Sequence, residues 1–335
     1  MEKRGIGLLS GGLDSTLAVR IMLDLGIEVI GLNFMSPFCT CTSRNSGCKS
    51  EAVKVARASG IGIRSIFLGQ EYLDMIRAPE HGYGKNMNPC MDCRIMMFRY
   101  TKGIMKEVNA SFIFTGEVLG QRPMSQRHDA MNIIDKESGV KGLVLRPLSA
   151  RLLEPTIPEK AGVVNRERLL RISGRSRRPQ IRMAEEYNIN DYHCPSGGCL
   201  LTQIGFANRM RDMIKFSHTI SVKDARLLRI GRHFRLTEKC KVIVGRNKEE
   251  NDKLEKMAEP DDYSFFVKGY TGPVVIAKGV MEESLIPLIS QITARYSDAP
   301  KNADVPVRWK RISNNEISTI LVTAIDEVRL KEMRI

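Results

Sequence analysis

Apolar and polar positions in the first third of the chain alternate between short apolar runs and longer stretches of helical spacing. The apolar runs predict strands at 5–9, 28–34, 63–69 and 111–117. Apolar residues that recur every three to four positions predict helices at 15–25, 50–59 and 93–109. Strands alternating with helices predict an α/β fold, a doubly wound parallel sheet whose ligand site lies beyond the carboxyl ends of the strands.

The pattern changes twice further along the chain. It weakens over 135–182, and a very basic stretch at 165–189 has helical spacing. From about residue 221 short apolar runs return without the long helical stretches between them. We therefore predict an α/β domain at 1–150, a basic helical and cysteine-bearing extension at 151–220 that completes the site, and a smaller α+β domain at 221–335.

The composition of the chain indicates what kind of partner it binds. The 335 residues are 42% hydrophobic, which supports proper cores, and carry a net charge of +14. Such a charge indicates a polyanionic partner, with nucleic acid ahead of a membrane because no strongly amphipathic basic helix is evident. The sequence has no 18-residue apolar run and no signal-peptide core, so we expect a cytoplasmic protein without a membrane partner.

A tight turn at 10–16, Ser-Gly-Gly-Leu-Asp-Ser-Thr, separates the first predicted strand from the first predicted helix. Hydroxyl groups and free backbone N–H groups at a helix N-terminus form an anion site. Gly11 and Gly12 let the main chain approach a ligand closely. No Gly-Lys-Ser/Thr follows, so the turn is not a Walker A loop. On this local chemistry alone, a capped surface turn without a ligand is equally open.

Eight cysteines in a chain without a secretion signal favour metal or redox chemistry over a disulfide scaffold. Cys90 and Cys93 lie at the start of a predicted helix, where the helix dipole lowers the pKa of a thiol and favours the thiolate. A second pair, Cys194 and Cys199, follows more than a hundred residues later. Zinc held by four thiolates and an iron–sulfur cluster held by three cysteines are both open.

The string Ser-Gly-Gly-Leu-Asp-Ser resembles the PP-loop of the ATP pyrophosphatases, which split ATP into AMP and pyrophosphate while adenylating a substrate. The resemblance implies that Asp14 helps to hold Mg²⁺ beside the pyrophosphate, since hard cations prefer carboxylate and phosphate oxygens. It also implies a pyrophosphate cradle made of Ser10, Gly11, Gly12, Ser15 and Thr16.

Three further motifs resemble enzymes that thiolate tRNA. The strings "NPCMDC" at 88–93 and "CPSGGCLLT" at 194–202 are similar in layout to the tRNA 2-thiouridylases, and "TGEVLGQ" at 115–121 resembles the tRNA 4-thiouridine synthetases. The resemblance implies an ATP-dependent tRNA sulfurtransferase that adenylates a uracil carbonyl oxygen and replaces it with sulfur. Within this motif, we expect Gly116 and Gln121 to bind the nucleotide. Glu117 and Gln121 follow the end of a predicted strand and are expected to line the nucleotide or uridine pocket, and a structural role stays open for each.

The resemblance leaves two sulfur routes open, and Cys93 and Cys199 are catalytic in both. In one route, one of these two cysteines carries a persulfide and the other resolves it. In the second, Cys90, Cys93 and Cys199 bind three irons of a 4Fe–4S cluster. The Cys-x-x-Cys spacing resembles the thiouridylases of the cluster type and favours this route, with Cys194 as an alternative ligand to Cys199. A sulfur relay, a second metal site or a reducible pair all stay open for Cys39, Cys41 and Cys48.

The strings "GRHFRL" and "VIVGRNKEEN" near the C-terminus resemble the RNA-binding domain of NFACT-type proteins. The expected partners are therefore tRNA, bound by the basic residues of 223–248, together with ATP and a sulfur donor: a cysteine desulfurase, sulfide or a carrier protein. A PP-loop amidotransferase or sulfurtransferase acting on a small molecule is an alternative, as is a non-catalytic RNA-binding protein. Clustered cysteines count against the amidotransferase, and the intact turn with Asp14 counts against the non-catalytic protein.

Overall fold

The chain folds into two compact units, Met1–Thr202 and Gln203–Ile335. The computed structural model describes residues 1–40, 48–190, 192, 199–314 and 316–335, without the side chains of 48–50. A five-stranded parallel sheet forms the first unit and a six-stranded antiparallel sheet the second, which confirms the predicted α/β fold with a smaller α+β domain. Among these residues, no helix combines the length and apolar character that crossing a bilayer requires.

The sheet of the first unit has the strand order β3-β2-β1-β4-β5. Its strands are β1 (Arg4–Leu8), β2 (Glu28–Met35), β3 (Gly62–Phe67), β4 (Phe112–Thr115) and β5 (Val144–Leu145). Its helices are α1 (Leu13–Asp24), α2 (Cys48–Ala58), α3 (Gln70–Arg77), α4 (Cys90–Glu107), α5 (His128–Glu137), α6 (Ile157–Lys160) and α7 (Arg178–Glu186). Short 3-10 helices lie at Ala150–Leu152, Arg166–Arg168 and Leu200–Thr202.

Strand β1 lies at the centre of this sheet, and its two glycines make room for aromatic rings. A Cβ on Gly5 would lie 2.9 Å from the ring of Phe112, and one on Gly7 would lie 2.5 Å from the ring of Phe114. Both rings are fully buried against α1 and α2. Ile113, which alternates with them, packs on the opposite face against α4 and α5. Side chains of β4 therefore fill the cores on both faces and fix the register that brings the ends of β1 and β4 together.

One predicted helix is wrong in its extent. The stretch 165–189 forms a short 3-10 helix and then α7, and 169–177 between them is not helical. Gly174 has a φ of +85° there, a backbone conformation that interrupts a right-handed helix. Pro179 lies in the first turn of α7, where its missing N–H breaks no hydrogen bond. The non-helical stretch allows Arg177 to reach the turn at 10–16.

The second unit has the strand order β11-β10-β8-β9-β7-β6. Its strands are β6 (Arg232–Arg235), β7 (Cys240–Val244), β8 (Tyr263–Val267), β9 (Val275–Gly279), β10 (Val305–Arg311) and β11 (Ser318–Val322). Its helices are α8 (Ile204–Phe216), α9 (Val222–Leu227), α10 (Lys248–Met257), α11 (Leu285–Arg295) and α12 (Glu327–Glu332). One face of the sheet packs on α11 and α12, and the other packs on α9 and α10.

Candidate active site

The turn at 10–16 joins β1 to α1 and lies against the start of α2. Gly11 has a φ of +77°, and a Cβ there would lie 2.5 Å from Cβ of Glu51. Gly12 is the N-cap of α1, so no side chain covers the first-turn N–H groups that lack intrahelical partners. The glycines expected from the sequence to form an anion cradle therefore lie at a helix N-terminus, with a main chain that no other residue type fits at Gly11.

The hydroxyl groups of the turn brace its main chain. Ser15 Oγ donates a hydrogen bond of 2.8 Å to the carbonyl oxygen of Gly12, and Thr16 Oγ1 donates one of 3.1 Å to the same oxygen. Ser10 Oγ accepts from the N–H of Gly12 at 3.3 Å and lies 3.2 Å from Ser15 Oγ. Ser15 and Thr16 are buried, whereas Ser10 is exposed. The hydroxyl groups thus hold the turn in the shape that leaves the helix N-terminus open.

Asp14 lies in the first turn of α1 with a polar partner on either side. Gln121 Nε2 donates to Asp14 Oδ2 at 3.0 Å, and Arg177 Nη2 lies 3.3 Å from the same oxygen. Within the part of the chain that the structure describes, Asp14 Oδ1, Gln121 Oε1 and Arg177 Nε are buried without a hydrogen-bond partner. Oxygens without a donor can bind a cation, and an N–H without an acceptor can bind an anion. These three atoms therefore suit a cation and an anion that bind together.

The loop after β4, residues 116–127, lies against this turn. A Cβ on Gly116 would lie 2.4 Å from both the carbonyl carbon of Asp14 and the N atom of Ser15, so the two main chains touch. The carbonyl oxygen of Leu119 accepts from the N–H of Gly174 at 2.7 Å. This second contact fastens the segment that carries Arg177 beside Asp14.

Glu117, which follows Gly116, is buried in an ion-pair network. Its carboxylate lies 3.0 Å from Arg94 Nε and 3.0 Å from Arg146 Nε, and Arg146 also pairs with Asp135 at 2.8 Å. Burial alone would raise the pKa of Glu117, but the charges of the two arginines outweigh it and lower the pKa. Glu117 is therefore ionised and fixed, and it positions Arg94 in the first turns of α4.

Four cysteines from three segments of the first unit lie near one another and are called the cysteine group: Cys39, Cys90, Cys93 and Cys199. Cys90 and Cys93 occupy the first turn of α4, and Cys199 lies at a two-residue antiparallel bridge with Cys39. Tyr72 OH donates to Cys93 Sγ at 3.3 Å, and the charges of Arg94 and Arg122 both act on the thiol of Cys90. The structure thus brings together all three cysteines that the sequence proposes as metal ligands and adds Cys39.

Burial governs the protonation of these thiols. It raises the pKa of Cys93 to about 11, although Tyr72 and Arg94 act in the opposite direction, and it raises the pKa of Cys199 to about 12. It also raises the pKa of Cys90. The expectation that the helix N-terminus yields low-pKa thiols is wrong, because burial raises the pKa of Cys90 and Cys93. A metal that replaces the thiol proton would restore the thiolate.

Among the described residues, no further cysteine side chain lies at this site. Cys41 and Cys194, together with the side chain of Cys48, lie outside the described residues, so their proposed roles stay predictions. Cys240 is buried in the core of the second unit.

Residues that sequence reasoning misses all act through tertiary contacts. Arg94 lies in the predicted helix 93–109 and Tyr72 lies outside the motifs, and nothing in the spacing of either residue indicates a partner. Arg177 is one of many basic residues in its segment, and only its contact with Asp14 distinguishes it. Cys39 has no feature in the sequence that sets it apart from Cys41.

Replacing Gly116 by alanine tests whether ATP binding depends on the close contact between Gly116 and the turn at 10–16. We expect Gly116→Ala to weaken ATP binding and pyrophosphate release by about 10²-fold, because the turn must shift to admit the methyl group. Isothermal titration with ATP–Mg²⁺ measures the first effect. Gly103→Ala is the matched control, since a Cβ there meets nothing within 4 Å and the residue lies inside α4. Normal ATP binding by Gly116→Ala would contradict the account.

Comparison with known proteins gives two separate matches along the chain. Residues 1–153 match the family model described as "Thiamine biosynthesis protein (ThiI)", and residues 231–334 match the "NFACT protein RNA binding domain". These matches confirm the two resemblances found in the sequence.

Individual relatives match part of the chain. The "tRNA-specific 2-thiouridylase MnmA" of Leptospira biflexa is 25% identical over 148 residues, 40% of this chain and 38% of the relative. A "Probable tRNA sulfurtransferase" of Moorella thermoacetica is 32% identical over 154 residues, 44% of this chain and 36% of the relative. The chain therefore spans less than half the length of these relatives. A solved 4-thiouridine synthetase–RNA complex with bound ATP is 19% identical, with a TM-score of 0.39 over 67% of this chain and 52% of that chain.

Proposed function

We propose that this protein is an ATP-dependent tRNA sulfurtransferase, because residues 1–153 match the ThiI family model and residues 231–334 match the NFACT RNA-binding domain. A uracil carbonyl oxygen attacks the α-phosphorus of ATP, and pyrophosphate leaves. Sulfur then replaces the adenylated oxygen, and AMP leaves. Oxygen bound to uracil is a poor leaving group, which is the chemical reason for its activation by ATP.

One observation carries this proposal: two consecutive residues join the turn at 10–16 to the cysteine group. Gly116 touches the main chain of Asp14 and Ser15, and Glu117 forms the ion pair with Arg94 next to Cys93. A site for activating an oxygen and a site for delivering sulfur must lie close together, because one substrate atom passes through both steps. The motif "TGEVLGQ" supplies that proximity within a single compact unit.

The residues around the turn at 10–16 fit ATP with Mg²⁺. Asp14 Oδ1, which is buried and lacks a hydrogen-bond partner within the described residues, suits a hard cation. The guanidinium of Arg177 lies beside it and suits a phosphate oxygen, so we add it to the residues inferred from the sequence. The pyrophosphate cradle comprises Ser10, Gly11, Gly12, Ser15 and Thr16, with Gly116 and Gln121 beside it.

The cysteine group fits a 4Fe–4S cluster held by Cys90, Cys93 and Cys199. When bound, such a cluster supplies an open iron that can carry sulfide. Arg94 and Arg122 lie close enough to Cys90 to act on it electrostatically, and they would offset the negative charge of bound thiolates. Tyr72 OH, already 3.3 Å from Cys93 Sγ, would donate to the thiolate ligand and orient it.

Two observations favour this cluster over the other metal and sulfur chemistries. A tetrahedral zinc with Zn–S bonds of about 2.3 Å requires thiolates about 3.8 Å apart. Among the described residues, no three cysteine thiols lie within 4.8 Å of one another. The Cys-x-x-Cys spacing of Cys90 and Cys93 also resembles the thiouridylases of the cluster type, which favours the cluster over the persulfide route.

Mass spectrometry of tRNA nucleosides from a strain that lacks this gene tests the proposed function. We expect one thiouridine to disappear and to return when the wild-type gene is restored. The Asp14→Asn gene should fail to restore it. An unchanged thiouridine content in the deletion strain, or full restoration by Asp14→Asn, would rule the proposal out.

The second unit is proposed to bind tRNA. Much of the basic run at 223–248 is neutralised within the unit: Arg235 and Lys241 both pair with Asp212, and Arg246 pairs with Glu250. A cavity of about 210 Å³ in the unit, which shares only Arg232 with that run, has an excess of positive charge. Its charged lining consists of Arg232, Arg295, Lys331, Arg334 and a single acid, Glu327, which pairs with Arg295 at 3.2 Å and with Lys331 at 3.4 Å. This cavity is therefore the better candidate for phosphate contacts.

Charge removal at this cavity should weaken tRNA binding and its dependence on salt. For the double variant Lys331→Gln/Arg334→Gln, we expect the slope of log affinity against log salt to flatten by about 0.7–0.9 for each phosphate that is no longer neutralised. Filter binding over a range of salt concentrations measures it. Lys253→Gln is the matched control, because Lys253 forms the same kind of pair with an acid one helical turn away, Glu249 on α10, but does not line this cavity. An unchanged slope in the double variant would exclude this cavity.

A further inference from the structure

Cys39 and Cys199 face each other across an isolated antiparallel bridge. The N–H of Leu200 donates to the carbonyl oxygen of Phe38 at 2.8 Å, so the ladder bond flanks the cysteine pair and does not join the two cysteines. In antiparallel pairs of this type the Cα atoms are about 4.5 Å apart, and both side chains lie on the same face. The backbone therefore directs the thiol of Cys39 to the same side as that of Cys199.

The segment carrying Cys39 is also fastened to the rest of the cysteine group. The ring of Phe38 packs on the ring of Tyr72 with centroids 5.9 Å apart, and Tyr72 OH donates to Cys93 Sγ. Cys39 interacts electrostatically with both Cys93 and Cys199. The N–H of Ser36 lies 3.3 Å from Cys39 Sγ and donates to it. Main-chain and aromatic contacts thus hold this thiol beside the other three.

We propose that Cys39 is the fourth ligand of the cluster and occupies its remaining iron until sulfide arrives. This inference rests on the proposed function, and it adds a fourth protein ligand to the three-cysteine site. Three cysteines leave one iron of the cluster without a protein ligand, and Cys39 lies beside Cys199 where it can supply one. The N–H of Ser36, aimed at Cys39 Sγ, stabilises the thiolate both when it is bound and as it leaves.

The exchange at Cys39 balances without an oxidant or a reductant. On a bound cluster, hydrosulfide would take the place of Cys39 Sγ as the ligand of the fourth iron. The released thiolate takes up one proton from solvent, and no electron is transferred. Cys39 therefore differs from a resolving cysteine, which would end in a disulfide.

Controlled oxidation of the iron-loaded, full-length protein tests this role. Wild-type protein treated with ferricyanide should keep its fourth iron, whereas Cys39→Ala should lose one iron per chain and give the electron paramagnetic resonance signal of a three-iron cluster. Cys39→Ser, whose oxygen can bind iron, should keep the fourth iron with an altered spectrum. Cys240→Ala, which changes a cysteine buried in the second unit, should behave as wild type.

The outcomes separate this inference from the proposed function. Equal iron loss from wild type and Cys39→Ala would overturn the role of Cys39 and leave the sulfurtransferase proposal standing. Wild-type protein that binds no iron would overturn both the role and the cluster. If Cys39→Ala does not fold, a spectrum of Cys39→Ser identical to that of wild type would overturn the role. A Cys39–Cys199 disulfide in the iron-loaded protein would do the same.

Discussion

Asp14→Asn is expected to abolish pyrophosphate release while leaving the fold intact. The substitution keeps the size of the side chain and an oxygen that can accept from Gln121, but it removes the charge that suits Mg²⁺. Arg177 would also lose its ion pair, and its positive charge would have no partner at this position. We expect the rate of pyrophosphate release to fall about 10²- to 10³-fold, the range found when one preorganised electrostatic group is removed.

Asp24→Asn is the matched control for this variant. Asp24 lies on the same helix, about 15 Å further along it, and it pairs with Arg20 and accepts from Tyr187 OH. The control therefore removes a comparable carboxylate charge at a place remote from the turn. Thermal melts of both variants report on the fold, and a coupled pyrophosphate assay reports on activity. Wild-type release by Asp14→Asn, or an equal decrease in both variants, would contradict the assigned role.

Cys93→Ala is expected to remove iron and acid-labile sulfide from protein purified without oxygen. The wild-type protein should be brown under these conditions. Cys93 supplies one of the three ligands and is the acceptor for Tyr72 OH, so its replacement removes both a thiolate and the hydrogen bond that orients it. Cys199→Ala should have the same effect, and tRNA thiolation should fall to background in both variants.

Two cysteine variants serve as controls for the cluster. Cys240→Ala removes a thiol from the core of the second unit and should keep iron at the wild-type level. Cys194→Ala should also keep the cluster, whereas a four-thiolate zinc site that used Cys194 would lose its metal. Colourless anaerobic protein with one tightly held zinc per chain would refute the cluster. Full thiolation by metal-free protein would favour the persulfide route.

The local pattern predicts most elements of the first unit because each strand is a short apolar run between polar turns. Both β1 and β4 occur where expected, and so does α1 after its glycine turn. The pattern does not predict β5, because this strand has only two residues and its apolar signal is too short to recognise. It also misses helices α3 and α5, and it extends the basic helix too far, across Gly174.

The candidate site shows the same division between local and tertiary information. The sequence predicts the turn at 10–16 and the Cys-x-x-Cys motif because their chemistry is local. It cannot predict that Arg177 meets Asp14 across 163 positions, or that Cys39 pairs with Cys199, because both contacts depend on the assembled sheet. The predicted thiol pKa is wrong for the same reason, since burial is a property of the packed unit and the helix position alone does not reveal it.

In the proposed function, ATP activation and sulfur insertion act on the same uridine. We would test this by the molar ratio of AMP to thiouridine formed when iron-loaded protein, ATP–Mg²⁺, sulfide and unmodified tRNA react together without oxygen. We expect one AMP for each thiouridine and neither product when ATP is omitted. Thiouridine formed without ATP, or AMP formed while the tRNA stays unmodified, would contradict it.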